Sequence, residues 1–526
     1  MDAMTSIEDR RLSLQLVLDA EKTQAERNKL GQFATPAGLA SDILTHARHL
    51  LPVDLPVRFL DPAMGTGSFY TAFRRVFPAK CIETARGFEI DPHYGEPARA
   101  LWADHPLKLT LGDFTTMKPP EEGGRFNLVI CNPPYVRHHH MDKATKARLL
   151  AATGAASGVQ MKGLTGLYCY FLGLAHAWME PDGVAGWLIP SEFMDVNYGV
   201  PVKRYLLHQV ELIRVHRFNP SELQFGDAFV SSTVVWFRKR KPAADLEVEF
   251  SYGGTLATPK VSRLVSSADL QGSAKWTSLA ADGVRAINDG PRLADFFDIR
   301  RGLATGDNGF FIMSRDEIAA RGLPMEFFKP ILPGPRHLKS DVVEGEVDGT
   351  PKLAKQLFML DCRLPEAEVK DHYPALWAYY QTGKPKVAGT YLCSRRTPWY
   401  AQENRPPAPF ICTYMGRKMA KRDKPFRFIL NRSKATAANV YLLLYPKPAL
   451  AKALTSNPDL GQQIWEFLNG IDAAILIGEG RVYGGGLYKM EPRELANVPA
   501  RAIASMLPAV KNQPFRQGEM FAEHAV

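Results

Sequence analysis

The chain has 526 residues, more than one hydrophobic core organises, so two or three domains are expected. Its 45% apolar and 23% charged residues are those of an ordinary globular protein, no run of eighteen apolar residues suggests a membrane span, and the N-terminus MDAMTSIEDRRLSLQ is too charged for a signal peptide. Six scattered cysteines without a C-x-x-C pair lead us to expect reduced, buried thiols in the cytoplasm, and a net charge of +10 suggests a polyanionic partner.

Residues 1–30 read as helical, with Ile7, Leu14, Val17 and Leu18 at helical spacing on a polar background. From 31 to 241, short apolar runs alternate with helical stretches. VRFLDP, ARGFEI, LKLTLGDF, FNLVICN, GVAGWLIP, ELIRVHRF and STVVWFRK read as strands; PAGLASDILTHARHLL and LYCYFLGLAHAWME read as helices. Such alternation predicts a mostly parallel sheet covered by helices, an α/β domain. Residues 242–290, rich in Ser, Gly and Ala, read as a connector, and 291–526 as a second, mixed domain. Between Lys384 and Lys434 stand thirteen Lys or Arg against two acids, interleaved with aromatics, a pattern suited to a phosphate backbone.

Chemistry concentrates at the strand ends. Asp61-Pro62-Ala63-Met64-Gly65-Thr66-Gly67 follows the first strand, where glycines let backbone approach a ligand at a helix N-terminus. It lacks the Gly-Lys-Ser/Thr of a phosphate loop and the third glycine of a dinucleotide fingerprint. The second strand ends at Glu89-Ile90-Asp91, where a carboxylate can accept from both hydroxyls of a ribose. The third ends at Gly112-Asp113-Phe114, an acid and a ring suited to adenine. Singly, such an Asp also reads as a helix cap and such a Phe as core; together the acids outline an adenosine pocket without a phosphate grip.

FNLVIC then stops at Asn132-Pro133-Pro134-Tyr135. Prolines cannot continue a ladder. The Asn132 carboxamide oxygen and the Pro133 carbonyl form two acceptors that can converge on one amino group, and Tyr135 offers a face to stack the ring bearing it. The adjacent run His138-His139-His140 invites a metal, but three neighbouring side chains cannot easily share one site, so no metal is expected.

Taken in order, these motifs resemble the adenine-N6 DNA methyltransferases of restriction-modification systems, in the class whose cofactor motifs precede the catalytic one and whose target-recognition domain is C-terminal. GQFATP (31–36), DPAMGTGSF, GFEIDP, LGDF, NPPY, LYCYFLGLA, GVAGWLIPSEF, LQFGDAFVSSTVVWF, RRGLATGDNGFFI and GRVYGGGLYKMEPRELANVP carry the likeness over nearly the whole chain. Met64 stands where a Cys is common. The resemblance implies a class I, Rossmann-like methyltransferase domain (31–241) with a mostly parallel seven-stranded sheet, and a mixed α+β target-recognition domain (291–526). It implies S-adenosylmethionine as cofactor, held by Thr35, Asp61, Ala63, Gly65, Gly67, Glu89, Ile90, Asp113, Phe114, Asn132 and Phe171. Asn132, Pro133, Pro134 and Tyr135 would be catalytic. Tyr135, Phe225 (Phe229 as alternative), Arg300, Arg301, Arg395, Arg396, Arg417 and Lys418 would contact double-stranded DNA. A bacterial or archaeal cytoplasm, a monomer or dimer, and a restriction endonuclease acting separately are expected, since about thirty residues before GQFATP are too few for a nuclease domain. The alternatives are a cytosine-N4 enzyme, which uses a similar hook, and a glutamine or RNA methyltransferase.

Overall fold

The computed structural model describes residues 3–219, 224, 231–279, 290–418, 424–483 and 486–507. The chain forms two compact units, Met1–Val284 with Tyr483–Gly486, and Arg285–Val482 with Leu487–Val526.

The first unit is built on one sheet of nine strands among the described residues: β1 Val57–Asp61, β2 Ile82–Glu89, β3 Lys108–Leu111, β4 Phe126–Cys131, β5 Met179–Pro190, β6 Glu211–Arg217, β7 Ser232–Arg238, β8 Glu247–Gly254 and β9 Pro259–Ser266. Their spatial order is β3-β2-β1-β4-β5-β7-β6-β8-β9. The first five strands are mutually parallel, and β7 runs antiparallel to both β5 and β6. Every residue of β4 is buried, so both its faces must be covered. Its one polar side chain is satisfied at both ends: Asn127 Oδ1 accepts from the Arg58 N–H at 2.8 Å, and Nδ2 donates to the Pro56 carbonyl at 2.8 Å. One face packs Val129, Cys131, Tyr170 and Trp187; the other packs Phe59, Leu128, Ile130 and Trp236.

Seven of these strands are the seven expected. β8 and β9 are additional and come from the segment read as a connector. In β8, Val248 and Phe250 are buried, and it pairs parallel to β6; β9 covers it antiparallel with mostly solvated residues. An edge strand needs few apolar side chains, which is why composition concealed this pair.

Three helices precede the sheet, α1 Ala3–Ala20, α2 Gln24–Leu30 and α3 Ala37–Leu50, and α4 Ser68–Val76 follows β1. Thr23 caps α2 in a capping box with Glu26. On α1, Ile7 and Leu18 are buried as their spacing predicts, but Val17 is exposed. The face is set instead by polar anchors: Arg11 is buried, bound bidentately by Glu8, and donates to Thr66 Oγ1 at 3.1 Å. Helices α5 Pro92–Leu101, α6 Lys143–Ser157 and α7 Leu167–Ala175 complete the surroundings of the site.

The second unit holds three smaller sheets. The largest orders Phe297–Arg301, Tyr441–Pro446, Phe410–Thr413, Phe428–Asn431 and Val342–Val343. A four-stranded sheet sits with an aromatic cluster that includes Phe311, Tyr380, Trp399 and Tyr400. The third sheet pairs Met415–Arg417 with Leu487–Lys489. Among the described residues, no helix is long and apolar enough to cross a membrane.

Candidate active site

Strand order puts the carboxyl ends of β3, β2, β1 and β4 side by side. Asp61 pairs in register with Gly87, and Glu89 with Leu111. Asp61, Glu89, Asp113 and Asn132 therefore share one edge, where open α/β sheets bind ligands. The edge opens into a cavity of about 230 Å³. Thr35, Ala63, Gly65, Glu89, Ile90, Asp113, Phe114, Asn132 and Phe171 line it, together with Pro134. Asp61 lies just behind this wall and is fully buried.

The glycine loop is held open by local chemistry. Gly67 takes φ +98°, and a Cβ there would meet Trp102 Nε1 at 2.6 Å. The indole donates to the Thr66 carbonyl at 2.9 Å instead. The Gly65 N–H donates to Glu89 Oε2 at 2.9 Å, and the Asp91 N–H to Glu89 Oε1 at 2.8 Å. Each Glu89 oxygen keeps a second lone pair for a ligand hydroxyl. Asp113 accepts from the Thr115 N–H and hydroxyl and lies 3.6 Å from Arg148, so it caps its turn while facing the cavity. Phe114 packs on Phe88, Phe171 and Trp178. Burial, with Glu89 nearby, pushes the Asp61 carboxyl up to about 8, and its Oδ2 is buried without a hydrogen-bond partner. Burial also raises Glu89.

At the hook, Asn132 Nδ2 donates to the Phe33 carbonyl at 2.9 Å and to Thr35 Oγ1 at 3.1 Å. A carbonyl only accepts, so the amide has one orientation. Its Oδ1 is left buried without a partner. The Tyr135 hydroxyl donates to the Leu188 carbonyl on β5 at 3.0 Å, and its ring is half-buried beside Phe33. Gly31, the left-handed cap of α2 at φ +66°, accepts from the Tyr135 N–H at 3.3 Å; a Cβ on Gly31 would overlap that nitrogen.

The sequence reading missed the contribution of α1 and α6. Gln15 and Asp19 line the cavity from α1, and Thr145, Arg148 and Leu149 from α6. Thr66 Oγ1 donates to Gln15 Oε1 at 2.6 Å, and the Tyr94 hydroxyl to Asp19 at 2.8 Å. Lys22 and Gln32 both hold Asp91. These are polar residues on a polar helix face and carry no spacing signal. The histidine run forms a short turn, and no group of metal-binding side chains is found among the described residues. Phe225 and Phe229 lie outside the described residues.

The DNA contacts expected of the second unit differ in their surroundings. Arg300 and Arg417 are exposed on strands, and Lys418 is exposed just beyond. Arg301 lies over the Tyr414 ring at 4.0 Å and donates to the Asn439 carbonyl. Arg395 lies over the Tyr391 ring at 3.7 Å. Arg396 donates to the carbonyls of Ala304 and Thr305, each at 2.7 Å, and to Gln402, so its guanidinium holds loops together.

An α/β sheet of this order, with a glycine loop and acids at successive strand ends, is that of a class I S-adenosylmethionine-dependent methyltransferase. Residues 90–224 match the model of the Eco57I restriction-modification methylase, and 277–523 that of the C-terminal domain of the Type II methyltransferase M.Eco57I. The chain belongs to this family of restriction-modification DNA methyltransferases, and S-adenosylmethionine is its cofactor. It is 26% identical over 489 residues to Type II methyltransferase M.XamI of Xanthomonas campestris pv. amaranthicola, covering 91% of this chain and 86% of the relative. It is 24% identical to M.AccI of Acinetobacter calcoaceticus, covering 89% and 85%. Among solved structures, the Type IIL restriction-modification enzyme MmeI in complex with DNA aligns with a TM-score of 0.54 at 14% identity, covering 95% of this chain and 69% of that one. The DrdV–DNA complex aligns at 0.50 and 14% identity, covering 86% and 53%.

Proposed function

We propose that this chain is a site-specific DNA methyltransferase that methylates the N6 amino group of a flipped-out adenine, as the modification enzyme of a restriction-modification system. The observation that carries this is the Asn132 amide: its nitrogen is fixed by Phe33 and Thr35, and its oxygen is buried and unpartnered on a residue that lines the cavity. An orphan acceptor there costs free energy unless a donor arrives, and an aromatic amino group is such a donor.

The cofactor supplies an electrophilic methyl group on a sulfonium. Asn132 Oδ1 and the Pro133 carbonyl accept from the amine and favour the tetrahedral nitrogen that forms as it attacks. Pro134 fixes the turn between them. Tyr135, tethered to β5, replaces the stacking that the base loses on leaving the duplex. Thr35, Asp61, Ala63, Gly65, Gly67, Glu89, Ile90, Asp113, Phe114 and Phe171 hold the cofactor against this amine. Double-stranded DNA is the substrate, read by the second unit.

The test is to treat plasmid DNA with the protein and S-adenosylmethionine and map modified bases by single-molecule sequencing. N6-methyladenine within one recurring sequence is expected. Modification at cytosine N4 instead would transfer the same hook to the other amine; no modified base, with cofactor binding intact, would overturn the reading.

A further inference from the structure

The basic segment 384–434 has two populations of cations. Lys384, Arg405, Arg427 and Arg432 form ion pairs with Glu366, Glu403, Asp341 and Glu344 at 2.6–3.1 Å. Arg396 is engaged by backbone carbonyls. Among the described residues of this segment, Arg395 and Arg417 are the arginines whose side chains make neither an ion pair nor a hydrogen bond.

Arg395 is also pre-oriented. Its guanidinium carbon lies 3.7 Å from the centroid of the Tyr391 ring, and that ring is 69% exposed. The base of the pair is rigid. Arg396 fastens it to Ala304 and Thr305; Cys393 is fully buried and donates to the Thr305 carbonyl; a Cβ on Gly306 would meet Cys393 Sγ at 2.6 Å. A planar fork of N–H donors, held over an exposed ring and projecting from an anchored turn, has lost much of its rotamer freedom before any ligand arrives. Two coplanar acceptors suit it: the O6 and N7 edge of guanine, or a phosphate. The exposed ring favours the base. A phosphate contact gains nothing from an apolar face, whereas a ring beside the fork can cover the neighbouring base or a thymine methyl.

We propose that Tyr391 and Arg395 form a base-reading element that specifies a guanine in the major groove of the recognition sequence. This rests on the DNA methyltransferase reading above.

The full-length protein tests it. Wild type is first shown to methylate plasmid DNA; if it modifies none, the parent reading has failed and the failure is not that of this element. Arg395→Lys keeps the charge but loses the fork. Its consensus of modified sites should then admit other bases at one G·C position, with specific affinity lower by about tenfold or more, and with the salt slope and S-adenosylmethionine binding unchanged. Tyr391→Ala should relax the same position. If Arg395→Ala instead leaves the consensus intact and flattens the salt slope by about one unit, the residue contacts phosphate and the proposal is wrong. An unchanged consensus and affinity in both Arg395→Ala and Tyr391→Ala would also overturn it.

Discussion

A buried carboxamide has two ends, and its neighbours decide which one meets the ligand. At Asn132 the Phe33 carbonyl makes that decision and Thr35 reinforces it. Asn132→Ala should lower methyl transfer at least a hundredfold, about 2.7 kcal/mol of transition-state stabilisation, with cofactor affinity little changed. Turnover like wild type would remove Asn132 from catalysis. Asp61 leads to a pH effect. Its carboxyl is pushed up to about 8 by burial, so it holds its proton in the folded protein at neutral pH and ionises on unfolding above about pH 4. A raised acid pKa costs stability progressively as pH climbs from about 4 towards 8. A cationic ligand beside the carboxyl lowers that pKa again. S-adenosylmethionine binding should therefore release a proton at pH 7 and tighten as pH rises towards about 8. Calorimetry in buffers of different ionisation enthalpy measures the release, which Asp61→Asn should abolish; wild-type binding without proton release would place the cation elsewhere.

At the scale of elements, α1 is part of the cavity wall rather than an appendage. Its position depends on a buried pair, Glu8 with Arg11, and on the bond from Arg11 to Thr66, which in turn holds Gln15. Removing one partner of a buried pair leaves a charge uncompensated, typically about 3–5 kcal/mol. Arg11→Ala should therefore loosen α1, raise hydrogen exchange over Ala3–Ala20 and weaken cofactor binding by tenfold or more, while the sheet stays folded. Unchanged affinity with a loosened helix would show that Gln15 and Asp19 only border the cavity. Seven strands were legible in the sequence, most plainly those covered on both faces, which are continuous apolar runs as FNLVIC is. The strand-end acids were legible for the same reason: they interrupt those runs. β8 and β9 were not, because solvated edge residues resemble a loop. Nor was the role of α1, because buried polar anchors such as Arg11 break the apolar pattern that spacing detects.

Across the whole molecule, a charge count along a window cannot see partners outside that window. Asp341, Glu344 and Glu366 all precede the basic segment in sequence, yet neutralise Arg427, Arg432 and Lys384. The surface available to a phosphate backbone is therefore smaller than thirteen cations suggest. Arg427 also donates to the carbonyls of Pro335, Leu338 and Ser340. Arg427→Ala should lower the stability of the second unit by about 2–3 kcal/mol, the scale of hydrogen bonds to a charged group, measured as a lower urea midpoint. Arg417→Ala should leave that midpoint alone and flatten the salt dependence of duplex binding by roughly one unit. The reverse pattern would exchange the two roles.

Gly31 carries a consequence for inheritance. It has no side chain, touches no reacting atom and lies about a hundred positions before the hook, yet any substituent on it would enter the space of the Tyr135 backbone. A saturation scan scored by methylation should rank Gly31 beside Asn132, intolerant of every replacement, alanine included. A lineage that lost the glycine would then lose the modification as surely as one that lost the asparagine.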